Sequence, residues 1–250
     1  MGSWIAALKH GAFRHHLQTA RTLSHRRPAK TPKGCRGTKG KTMDIACFRV
    51  SYVAGLLALI GEIVVPLFLG KRYPNYSHLK DTVSELGVKT SPVSRLLNLW
   101  LVTFGFLTVI YALGLGRHLG YGLLSVKILV GCIVLFGIGA GVISGIFPLD
   151  PGGEDMTASA KIHHIFGGAG YMALLAVPFI SLWLVERWIF KLTGFGFFLS
   201  GSAFFVLFVL SEGERSPEIC MGRSGLWQRF FLASNYLFLI ILTLSCFRTL

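Results

Sequence analysis

The sequence predicts an all-α polytopic membrane protein, a bundle of six transmembrane helices. Three observations carry that prediction. Only 14% of the 250 residues are charged, where soluble domains carry about 25%. Hydrophobic residues make up 52%, among them 20 Phe. The apolar residues also gather in runs of about 20, the helical length that crosses a hydrocarbon core of about 30 Å. This composition excludes a disordered chain, a fibrous repeat and an ordinary soluble fold.

The chain divides near Met43. Residues 1–43 contain ten Lys or Arg and no acid, and residues 44–250 contain fifteen basic and eleven acidic residues. The net charge of +14 therefore falls to +4 once the first segment is set aside. A pI near 9.9 raises the question of nucleic acid, but no basic face remains in 44–250, so the expected partner is membrane lipid and not nucleic acid. Arg14, Arg21, Arg26, Arg27 and Arg36, spread among Ser, Thr and Gly, give 1–43 a transit-peptide composition. An upstream stretch read in frame before Met43, or a basic tail on anionic lipid, fits the same residues. In each case this extension is expected to be disordered and outside the fold, which occupies 44–250.

The six expected spans are 48–69, 94–116, 122–146, 162–185, 193–210 and 227–247. The first is interrupted in its interior by one acid, Glu62. Ser91-Pro92 reads as a cap followed by proline in the first helical turn, opening the second. The third carries Lys127 close enough to an interface to snorkel, and it ends at Pro148 and Pro151-Gly152-Gly153. Gly137, Gly141 and Gly145 recur every four residues on one face of it. That spacing lets helix backbones approach closely in lipid, or opens a groove. His163-His164 stand at the mouth of the fourth span. The fifth is an apolar run, and Trp227 at the head of the sixth suits the aromatic belt of an interface.

Of the five cysteines, Cys35, Cys47, Cys132, Cys220 and Cys246, only Cys220 falls in a loop between spans, and no CxxC occurs. Buried thiols are expected, not a disulfide framework or a zinc knuckle.

Six spans put the first, third and fifth loops on one side of the membrane. These loops, 70–93, 147–161 and 211–226, hold Asp81, Glu85, Asp150, Glu154, Asp155, Glu212, Glu214 and Glu218, while the opposite side has short connections only. The basic extension places the N-terminus in the cytosol and the acidic loops outside. Without it, six basic residues on the N-terminal side against nine on the other favour the reverse.

Glu62 sits about 10 Å below the interface at ~1.5 Å per residue. An ionisable group at that depth costs at least ~2.5 kcal/mol and faces a partner or a cavity. Pro66 cannot donate to the carbonyl of Glu62, which leaves an acceptor beside the carboxyl for water, a proton or a cation. A protonated or paired Glu in the bundle is the alternative. In the first loop, Thr82 and Glu85 have capping-box spacing around Ser84, so a helical turn closed by Gly87 is expected. His78 and Asp81 are left without a structural role. Asp81, His78, Asp150 and His163 or His164 are carboxylate and imidazole groups suited to zinc or a similar ion, although no HExxH or other tight ligand spacing occurs. Hydrogen-bonded caps are the other reading of the same residues. Arg229 can pair with an acid across the bundle or hold an anionic headgroup. Asn75-Tyr76-Ser77 is formally a glycosylation acceptor where the loop faces a secretory lumen. No GxSxG, P-loop or dinucleotide fingerprint is present, and no cofactor follows from these residues.

Taken together, Tyr76-Ser77, Asp81-Thr82-Val83-Ser84-Glu85-Leu86-Gly87, Phe147-Pro148-Leu149-Asp150, His164 or its neighbour before a glycine-rich helix, and Gly225-Leu226-x-Gln228-Arg229 resemble the prokaryotic membrane family known as domain of unknown function 998. The resemblance covers about 48–247 and implies a six-helix membrane protein, in a bacterial or archaeal cell membrane, without implying an activity. An organelle inner membrane is the setting if 1–43 is a transit peptide. A shorter likeness of the Ser84–Gly87 region is to eukaryotic Frag1/DRAM/Sfk1-type membrane proteins connected with lipid organisation. Three functions are therefore expected to compete. One is binding or organising a lipid or small amphiphile, with Arg229 on the headgroup and Glu62, Asp81 and Asp150 tuning a polar pocket. The second is a metal-dependent intramembrane hydrolase of a lipid or amide, with Glu62 or Glu85 as general base. The third is a proton-coupled carrier centred on Glu62, for which no repeated half or pair of broken helices speaks.

Overall fold

A computed structural model describes residues 38–150, 156–184, 188–213 and 222–247, with the side chains of 38–48 and 246–247 excepted. Residues 1–37 of the basic extension lie outside the described residues, as do Pro151-Gly152-Gly153, Glu154, Asp155, Glu214, Glu218 and Cys220. Among the described residues there is no strand. Six long helices follow one another: α1 (Thr38–Gly70), α2 (Ser94–Leu119), α3 (Leu124–Ile146), α4 (Ala158–Ile180), α5 (Trp188–Ser211) and α6 (Ser224–Phe247). Each is long and apolar enough to cross a membrane, α1 over Arg49–Gly70 and α4 with its 3-10 extension to Trp183. The chain is an integral membrane protein with multiple spans.

Helix ends differ from the sequence reading where capping chemistry sets them. Helix α4 begins at Ala158 and not at 162, because Thr157 caps it, its hydroxyl accepting the Ala160 N–H at 3.3 Å. The Asp150 carboxylate in turn accepts the Thr157 N–H at 2.9 Å. Helix α2 begins at Ser94, so Pro92 stands in the preceding turn, where the Ser91 hydroxyl accepts the Val93 N–H at 3.3 Å. Helix α6 begins at Ser224 because its first amides find acceptors in the loop between α1 and α2. Gly225 N–H donates to Lys80 O at 3.1 Å and Leu226 N–H to Leu79 O at 2.9 Å. A helix start leaves four amides without intrahelical partners, and the loop carbonyls satisfy two of these.

Packing follows chain order, α1 on α2, α2 on α3, α3 on α4 and α5 on α6, with α6 also returning to α1. Leu57, Ile60, Phe106, Ile110 and Leu113 face outward, as is ordinary where the solvent is hydrocarbon. The interior is aromatic: Tyr52, Phe104, Tyr111, Phe136, Phe231, Tyr236 and Phe238 are all buried. A smaller cluster of Leu69, Val83, Leu86, Val93, Leu97 and Leu101 anchors the first loop. The free thiol Cys132 is half-buried on α3.

The glycines of α3 lie against two neighbours. A Cβ at Gly141 would stand 2.6 Å from Gly105 Cα, and one at Gly145 2.6 Å from Asn98 O, both on α2. At Gly137 it would meet Gly105 O at 3.0 Å. Gly139 faces the Phe166 carbonyl of α4, while Gly170 of α4 stands so close to Ala140 that a Cβ would lie 2.9 Å from its amide nitrogen. Over Gly137–Ile143 the helix widens into a π-helical segment, and Ser144 Oγ donates to Gly139 O at 2.9 Å. Side chains here would collide with backbone, which has no rotamer to yield. We expect Gly139→Ala to lower the melting temperature in detergent, while Gly131→Ala and Gly196→Ala, whose Cβ positions are open, hold or raise it, since helix propensity adds up to about 1 kcal/mol of stability. Equal effects at the three sites would refute this packing account.

Candidate functional site

A cavity of ≈ 340 Å³ opens among α1, α2, α3, α4, α5, α6 and the first loop. Its walls are apolar, formed by Leu101, Phe104, Phe136, Phe205, Phe208 and Tyr236. Glu62, Ser84, His163, His164, Gln228 and Tyr171 interrupt that surface with polar groups. The π-helical turn supplies Ala140 and, just after it, Ser144; such segments recur where helices frame functional sites.

Glu62 is buried, 7% exposed, and its Oε2 accepts the indole N–H of Trp100 at 2.7 Å. The carboxyl thus borders the cavity with one oxygen held by α2. His163 is the buried member of the histidine pair and His164 the exposed one, and both border the cavity. His163 Nδ1 lies 2.9 Å from Phe147 O. A carbonyl only accepts, so Nδ1 carries the proton. Nε2 is then an acceptor, and Ser84 Oγ stands 3.3 Å from it. Gln228, buried in the first turns of α6, bridges two partners: its Oε1 accepts the Val83 N–H at 2.7 Å and its Nε2 donates to the Tyr171 hydroxyl at 3.1 Å.

The first loop forms the floor. Thr82 donates to Glu85 Oε1 at 3.4 Å across the 3-10 turn Ser84–Gly87. Gly87 ends that turn without a positive φ. Its requirement is proximity, since a Cβ would stand 2.6 Å from Asn98 Oδ1, whose amide donates to Gly87 O at 3.1 Å. Burial pushes the Glu85 carboxyl above the ordinary carboxylate range, against the pull of the Thr82 hydrogen bonds. An acid that holds its proton more tightly folded than unfolded stabilises the fold at low pH, and that contribution is lost as pH rises from the unfolded to the folded value. We therefore expect Glu85→Gln to flatten the gain in melting temperature between pH 7 and pH 5, and an unchanged slope would contradict the assignment.

Arg229 ties this floor to α6. Its Nη1 donates to His78 O at 2.6 Å, Asp81 O at 2.9 Å and Gly225 O at 2.8 Å, and its Nη2 donates to the Tyr76 hydroxyl at 2.5 Å. The Tyr76 hydroxyl in turn donates to Thr82 O at 2.9 Å, and burial pushes the phenol up to about 12 despite the guanidinium beside it. His78 Nδ1 lies 3.3 Å from Nη2, and partial burial, then the Arg229 charge, holds its imidazole below the ordinary value. The partners of the guanidinium are thus two loop carbonyls, the Gly225 carbonyl of its own helix and a phenol, and not the cross-bundle acid that the sequence reading offered it. Gly225 permits the contact: a Cβ there would overlap the Asp81 carbonyl and stand 2.7 Å from Arg229 Nη1.

The residues considered as metal ligands are dispersed over separate hydrogen bonds. The Asp81 carboxylate accepts the Ser77 N–H at 2.6 Å, and His78 packs on Tyr76. Asp150 is the half-buried partner of the α4 cap, and the Thr157 bonds hold its carboxyl below its ordinary value. Among the described residues, no group of three or more His, Cys, Asp or Glu side chains is placed to hold a metal ion. Trp100, Tyr171, Gln228 and Ser144 are site residues the sequence reading did not single out. Gln228 alone carried a signal, a polar side chain in a quoted motif at the head of a span.

A family model described as Protein of unknown function (DUF998) matches residues 52–245. No curated protein and no solved structure matches the chain.

Proposed function

The chain belongs to that family, and from this premise we propose that it binds a lipid or small amphiphile in the cavity among its helices. One observation carries the reading: a single cavity joins an aromatic and aliphatic wall to a cluster of hydrogen-bonding groups at the loop end. Its ≈ 340 Å³ lies at the lower end of the range for small-molecule sites, about 300–1,000 Å³. That size suits one acyl or alkyl chain with a compact headgroup. The chain would lie along Leu101, Phe104, Phe136, Phe205 and Phe208. The headgroup would meet Glu62, Ser84, His163 and the Gln228–Tyr171 pair, while Arg229 holds the floor in place. The setting for this reading is a bacterial or archaeal cell membrane.

Native mass spectrometry of protein released from mild detergent tests it. A stoichiometric amphiphile that survives desolvation is the expected result. Protein that is bare in every detergent tried, with added lipid failing to bind above the level seen for an unrelated six-span protein, would overturn it.

A further inference from the structure

The geometry points to a second property of the same cavity: Ser84 and His163 form a hydroxyl–imidazole pair that accepts an acyl group from an ester-bearing amphiphile. The inference rests on the cavity reading for delivery of the substrate but not for the chemistry. Ser84 comes from the first loop and His163 from α4, and Nε2 lies 3.3 Å from Oγ. The opposite ring nitrogen is fixed on the Phe147 carbonyl at 2.9 Å. That bond holds the tautomer in which Nε2 is free to take a proton, the arrangement in which an imidazole activates a hydroxyl nucleophile. Both side chains border the cavity, so a carbonyl carbon bound there can reach Oγ. The Tyr171 hydroxyl borders it too and accepts from Gln228 Nε2. A hydroxyl that accepts there keeps one proton to donate, and in this proposal its acceptor is the oxygen of the acyl carbonyl.

The step balances with water as co-reactant. Ser84 Oγ bonds to the acyl carbon of the ester as its proton passes to His163 Nε2. The acyl–oxygen bond of the ester then breaks, and the alcohol departs with that proton. Water attacks the acyl–serine, giving its proton to Nε2, and the bond to Oγ breaks. A carboxylic acid leaves and the proton returns to Ser84.

A long-chain alkyl fluorophosphonate, which replaces fluoride with a serine oxygen, is the probe. Full-length protein in detergent or lipid discs is expected to form one adduct, located at Ser84 by peptide mapping and absent in Ser84→Ala. His163→Gln is expected to slow labelling about 100-fold, the ordinary contribution of a general base. Its melting curve distinguishes this from unfolding, and Tyr171→Phe, expected to slow labelling about tenfold, gives a second measure that leaves the Ser84–His163 bond in place. Absence of an adduct on Ser84 overturns the inference. If amphiphile is still retained in that protein, the cavity reading stands without it. An adduct on Ser84 in protein that retains no amphiphile would instead support the pair and refute the cavity reading.

Discussion

Arg229→Ala is expected to destabilise the protein by about 3–6 kcal/mol, because it removes a charged donor from three backbone carbonyls and a phenol at once. Hydrogen bonds to charged groups contribute about 1.5–3 kcal/mol each, and the set is not additive. The carbonyls of His78, Asp81 and Gly225 would lose this donor. For a chain of this size the loss corresponds to a fall in melting temperature of roughly 10 °C or more. Arg229→Lys keeps the charge but not the planar fork that reaches both Nη1 and Nη2 partners, so it is expected to recover only part of the loss. Gly225→Val approaches the same contact from the other side. Its side chain would occupy the space of the Asp81 carbonyl and the guanidinium, forcing the first loop away from α6. Thermal unfolding in detergent, followed by aggregation, reads all three. If Arg229→Ala melts with the wild type, the loop is held by something other than this network.

The second large effect is on the cavity. Gly167 lies between Ser144 and His163, where a Cβ would stand 3.3 Å from Ser144 Oγ and 4.0 Å from His163 Cδ2. Gly167→Leu projects four carbons into the bound amphiphile's space while improving helix propensity by up to about 1 kcal/mol. We expect retention of amphiphile to fall at least tenfold, about 1.4 kcal/mol, with a melting temperature equal to or above that of the wild-type apoprotein. Titration with a soluble single-chain amphiphile, read by native mass spectrometry, checks it. Undiminished binding would place the ligand elsewhere.

The spans were legible in the sequence because lipid selects composition over whole helices, and six apolar runs with their punctuation reappear as α1 to α6. Ends were less legible. The start of α6 depends on carbonyls of Leu79 and Lys80, and acceptors of that kind are the same at every residue. Glu62 stood out because a lone acid in an apolar run is costly, but its partner Trp100 looks like any aromatic in a span. Gly137, Gly141 and Gly145 announced close approach, while the π-helical widening around them has no pattern separate from the glycines. The Ser84–His163 pair joins residues 79 positions apart, through a loop whose position depends on Gln228 and Arg229. Arg229 itself was read through its charge, which suggested an acid or an anion. Its fork meets the carbonyls of His78, Asp81 and Gly225 and the Tyr76 hydroxyl, partners that charge does not announce.

Photo-crosslinking with a diazirine-bearing alkyl amphiphile tests the central claim most directly. The account predicts saturable adducts on inward residues such as Leu101, Phe205 and Phe208, displaced by unlabelled amphiphile and lost in Gly167→Leu. Adducts confined to outward positions such as Leu57, Phe106 and Ile110, and indifferent to Gly167→Leu, would contradict it.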